Sequence, residues 1–73
     1  MSEHPNEVKK LTAIASDLEL SAELRTKAIE LLGRIGTHEA LLALLDIAGK
    51  EELMSKERDF ALKQAREITK TGR

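Results

Sequence analysis

The chain has 73 residues, with twelve basic and thirteen acidic side chains, no cysteine and a single Phe, Phe60, as its only aromatic of the Phe, Tyr and Trp set. That length makes one small domain, residues 1–73, and without disulfides or thiolate metal sites its stability must come from helix packing, completed by self-association or a partner. The balanced charge argues against a dedicated nucleic-acid binder, the lack of aromatics argues against stacking on bases or sugars, and no apolar run approaches the roughly 20 residues of a membrane span.

Leu, Ala, Glu, Lys and Arg dominate over β-branched residues, which predicts an all-α fold. The first helix is expected over 5–18, with Pro5 in its first turn and Val8, Leu11, Ala15 and Leu18 on one stripe, Ile14 at the edge. A second is expected over 21–35. Leu24, Ala28, Leu31, Leu32 and Ile35 share a face there, Arg25, Lys27, Glu30 and Arg34 lie largely outside it, and Ser21 serves as N-cap. Gly36 follows the last periodic residue, at the left-handed position that ends many helices, and Thr37 caps the next helix at once. Gly33 is different. It lies inside the second helix, weakens it by about 1 kcal/mol relative to alanine, and is best explained by a neighbouring helix packed closely against it.

The third helix, 37–48, is apolar most of the way round: Leu41, Leu44, Leu45 and Ala48 form a stripe that Leu42 and Ile47 widen. Such a helix is expected at the centre of the molecule, covered on several sides, and Gly49 ends it. The fourth, 55–69, turns Ala61, Leu62, Ala65 and Ile68 inward and Phe60 off that stripe. Glu57, Asp59 and Glu67 sit among Lys56, Arg58, Lys63 and Arg66, a pattern that reads as a solvated helix surface.

Sliding the chain along itself by 33 residues gives a gap-free internal match. Leu11 falls on Leu44, Ile14 on Ile47, Ala15 on Ala48, Leu20 on Leu53, Arg25 on Arg58, Ala28 on Ala61 and Ile35 on Ile68. The apolar pairs Val8 and Leu41, and Ile29 and Leu62, join them. The four helices therefore read as two copies of a two-helix unit, offset by half a unit; a simple four-helix bundle is the alternative.

The stretch "LRTKAIELLGRIGTHEALLALLDIA", residues 24–48, resembles a HEAT repeat, especially the short form of the phycobilisome-lyase-type HEAT-like proteins. Arg25 stands where that pattern opens its first helix, Ala28 three residues on, "LGRIG" at 32–36 where the helix ends, and "EALLALL" at 39–45 where the second begins. The resemblance implies a miniature stack of antiparallel helices. Its first glycine, Gly33, would admit an adjoining helix, and its second, Gly36, would make the turn. Gly33, Gly36, Thr37, Arg25 and Arg58 are accordingly read as structural. The fourth helix departs from the pattern, with Arg66 and Thr69 in place of the glycine pair.

The candidate chemistry is sparse. "GRIG" could suggest a phosphate-gripping Gly-x-x-Gly loop, but that fold needs a β-sheet and no period-2 strand is present. A helix-turn-helix reading fails on its second helix, which would show leucines to a DNA groove. His4 and His38 belong to no metal-ligand spacing, and no nucleophile has a visible base partner. Lys63, Arg66, Lys70 and Arg73 make a basic C-terminal end that suits the helix dipole.

The expectation is therefore a cytoplasmic, non-catalytic protein–protein interaction or scaffold module with no cofactor or small-molecule substrate; a self-associating homodimer is the alternative and weak nucleic-acid binding a third. The 33-residue register pairs Lys9 with Leu42, Lys10 with Ala43 and Ala13 with Asp46. Side by side, these six would form one mixed patch, with Leu42 either at its surface or simply core. Phe60 is the second candidate contact, as an exposed anchor.

Overall fold

A computed structural model describes residues 5–70, and among them the chain forms four helices and no strand: α1 (Pro5–Ser16), α2 (Ala22–Ile35), α3 (His38–Ala48) and α4 (Ser55–Lys70). The fold is all-α. The helices α2 and α3 each touch the other three, whereas α1 and α4 do not meet. That pattern makes two layers, α1 beside α3 and α2 beside α4, with the α2–α3 contact on the short diagonal. The expected central role of the third helix is thus shared with α2.

Local chemistry sets the boundaries. The Ser21 hydroxyl accepts the Leu24 amide at 3.2 Å and the Thr37 hydroxyl accepts the Ala40 amide at 3.1 Å, so both caps satisfy a first-turn donor. Gly36 takes φ 67°, where a Cβ is strained, and its N–H returns to the Leu32 carbonyl. The first helix ends at Ser16, two residues before the expected Leu18. There the Asp17 amide donates to the Ile14 carbonyl, and the Asp17 carboxylate accepts the Glu19 amide at 3.0 Å, closing a turn that competes with the helix. Leu18 consequently falls in the connection and is exposed.

The core runs between the layers. Ile29, Leu32, Leu44 and Ile47 are its largest fully enclosed side chains, joined by Val8, Leu53, Ile68 and five alanines, Ala15, Ala28, Ala40, Ala61 and Ala65. Burial of each large side chain is worth about 1.5–3 kcal/mol. The alanines let the helix axes approach. Gly33 does the same for α2 and α4: a Cβ there would run into the side-chain amide of Gln64 and lie 3.2 Å from its Cβ. The close neighbour inferred from that glycine is α4.

One expectation is overturned in the core. Glu57, read as part of a solvated surface, and Arg25, placed outside the apolar stripe and read as structural, are buried and joined across α2 and α4. The guanidinium donates from Nε to Glu57 Oε1 at 3.1 Å and from Nη2 to Oε2 at 2.9 Å, while Nη1 donates to the Leu20 carbonyl. This bidentate fork satisfies both carboxylate oxygens, the condition under which a buried pair is tolerable. The hydrogen bond to Glu57, opposed by desolvation and aided by the charges of Glu57 and Asp17, raises the Arg25 pKa, so the group stays charged. Arg58, its counterpart 33 residues on, is half-buried and donates from Nε to the Ala48 carbonyl at 3.2 Å, tying α4 to the end of α3.

Candidate interaction surface

The contact between α1 and α3 brings the helices that carry the six patch residues together. Lys9, Lys10 and Ala13 on α1 are exposed, as are Leu42 and Asp46 on α3, while Ala43 is half-buried against the core. Leu42 is 52% exposed, which decides its two readings in favour of surface. The Asp46 carboxylate lies 3.4 Å from Lys50 Nζ, one helical turn on, so the acidic edge of the patch is already tethered to its own helix. An exposed pair of this kind adds about 0–1 kcal/mol and leaves the carboxylate accessible.

Phe60 departs from its expectation. It is half-buried against the core and lines a groove of about 590 Å³ between α2 and α4, with Glu23, Lys27 and Glu30 on one wall and Met54 and Lys56 on the other. It is a wall of that groove and not a free anchor. A second groove, about 620 Å³, runs along the outer side of α1 and α2, where Leu11, Ile14, Leu31 and Ile35 form an apolar floor between Glu7, Lys10 and Arg34.

Further leucines assigned to inward stripes are also half-exposed: Leu24 on α2, Leu45 on α3 and Leu62 on α4. Each stripe is wider than the surface its neighbours cover. Periodicity identifies the apolar side of a helix but not how many of its flanks meet another helix. The third helix is enclosed at Ala40, Leu44 and Ile47 and half-covered at Leu41, Ala43 and Ala48, which leaves Leu42 and Leu45 open. The pairing of Arg25, read only as structural, with Glu57 was missed, yet it left a signal: Glu57 is in line with Ala61, Ala65 and Ile68, and Arg25 with Ala28, Ile29 and Leu32. A charge on each of two buried stripes, of opposite sign, is the signature of a partner pair.

No group of three or more His, Cys, Asp or Glu side chains among the described residues could hold a metal ion, and His38 lies exposed in the first turn of α3. No described helix is long and apolar enough to cross a membrane. Of the basic C-terminal set, Lys70 stands 3.9 Å from Glu67. His4 and Arg73 lie outside the described residues. No family model, curated protein or solved structure matches the chain.

Proposed function

We propose that this protein is a non-catalytic, HEAT-like helical module that binds another protein through the outer faces of α1 and α3. The observation that carries the reading is Leu42, a large apolar side chain held 52% exposed on a packed helix, beside Asp46 and on the neighbour of the helix bearing Lys9 and Lys10. An apolar centre with charges of both signs at its edge is the make-up of a specific protein contact. The HEAT-like kinship rests on residues 24–48. Its support is the left-handed turn at Gly36, the close approach at Gly33 and the pairing of helices 33 residues apart into layers. The same reading expects a cytoplasmic protein without a cofactor.

The test is a low-salt affinity capture from lysate treated with nuclease, run in parallel with the wild-type chain and Leu42→Glu. One stoichiometric protein held by the wild type and lost by a variant with unchanged helical circular dichroism is the expected result. A partner that binds Leu42→Glu equally well, or recovery of the bait alone, would overturn it.

A further inference from the structure

The α1–α2 hairpin meets α3–α4 through two matched rows. On α2 the row is Arg25, Ile29 and Gly33, one turn apart: Arg25 reaches Glu57 and Gly33 makes room for Gln64, so this row faces α4. The answering positions on α4 are Glu57 and Gln64. Moved by 33 residues, the first row becomes Arg58, Leu62 and Arg66 on α4, and the answering positions become Leu24 and Leu31 on α2. Of these counterparts Leu24, Leu62 and Arg66 are exposed, Leu31 is half-buried along the outer α1–α2 groove, and Arg58 is half-buried on the Ala48 carbonyl. Ile29 is fully buried, whereas Leu62 is 42% exposed; Ile47 is fully buried, whereas Ile14 is 37% exposed in the outer α1–α2 groove. The 33-residue register thus repeats the positions of the internal contact on the outer faces of α4 and α2, with leucines in place of Glu57 and Gln64 and with Leu24 and Leu62 left open.

We propose that a second copy of this chain covers them, head to tail: the outer face of α1–α2 in one molecule receives the outer face of α4 in another, with Leu62 seated against Leu24 and Leu31. The rims agree in sign. Glu23 and Lys56 together line the internal α2–α4 groove. In the same register between copies Lys56 comes beside Glu23, and Asp59 beside Lys27. A two-fold pairing of the α1–α2 face with itself would instead gather Lys10 and Arg34, against Glu7 alone, from both copies around one apolar strip and leave Leu62 uncovered. Arg66 stands where Gly33 admits Gln64, so the copies stay further apart at that end than α2 and α4 do. The association is therefore reversible, and a head-to-tail contact does not close on itself. This contact uses neither Leu42 nor Lys9, so it stands or falls separately from the partner patch.

Sedimentation velocity of the full chain over a hundredfold range of concentration tests it. Mean mass should rise with concentration beyond a dimer. Ile14→Glu, which spoils only the α1–α2 face, and Leu62→Glu, which spoils only the α4 face, should each be monomeric with wild-type helical content. Mixed, they should form a one-to-one dimer and nothing larger, because each variant retains the face the other lacks. Leu24→Glu replaces Ile14→Glu if the latter loses helicity, since Leu24 is more than half exposed. A wild-type chain that stays monomeric throughout overturns the proposal. So does a closed dimer that survives Leu62→Glu, or one lost only by Leu42→Glu.

Discussion

The two hairpins place the same residue types at positions 33 apart and give them different surroundings. Ile29 and Ile47 are enclosed, while their counterparts Leu62 and Ile14 are partly open. Arg25 is buried in a fork with Glu57; Arg58 is half-buried and holds one backbone carbonyl. Side-chain chemistry hardly differs within these pairs. What differs is whether a second hairpin lies against the position. Burial in a short helical stack is therefore a property of the neighbour as much as of the residue, and an end position keeps its apolar side chain without a cover.

The largest separation is expected at the apolar pair. Ile29→Ala should cost about 2–5 kcal/mol through lost burial and a cavity, whereas Leu62→Ala in dilute solution should cost under about 1 kcal/mol. Urea melts of both variants measure the difference, and equal losses would break the comparison.

The arginine pair should follow. Arg25→Met leaves the Glu57 carboxylate buried without its fork, so its thermal midpoint should fall well below that of Arg58→Met. Changing both partners, Arg25→Met with Glu57→Leu, should recover much of the loss, as replacement of a buried ion pair by packed apolar groups often does. The Arg25 pKa is raised in the folded chain, first by its hydrogen bond to Glu57. Its contribution is therefore complete at any pH below the ordinary arginine value and is lost only as pH rises past the raised one. Titration of Arg25 should leave stability flat across the neutral range.

Smaller effects sharpen the contrast between the glycines and their counterparts Arg66 and Thr69. Gly36→Ala forces a side chain into a φ of 67° and should cost about 1–2 kcal/mol. Gly33→Ala gains about 1 kcal/mol of helix propensity but displaces Gln64, so the net change should be near zero. Adding Gln64→Ala removes the obstruction, and the double variant should melt above Gly33→Ala alone.

Much of this architecture was legible in one sequence because its signals are local. Caps at Ser21 and Thr37, the left-handed turn at Gly36 and the helical spacing of apolar residues each depend on a few neighbouring positions. Gly33 went further, since a helix-weakening residue in a helix interior implies a close neighbour, although not which one. The six candidate positions came from the 33-residue register, and the helices that carry them do meet, while the exposure of Leu42 was not legible. An early stop of α1 at Ser16 also escaped, because the Asp17 turn competes with a helix of ordinary propensity.

By itself, then, the sequence determined four helices, their punctuation and the sides that carry apolar residues, since backbone hydrogen bonding and helical periodicity are settled within a turn or two. The tertiary structure alone decided that Arg25 reaches Glu57 across 32 residues, that Gln64 occupies the space at Gly33, and that Leu24, Leu42, Leu45 and Leu62 stay partly open. Those outcomes depend on how many neighbours a helix has and at what angle they lie, and burial follows from that packing.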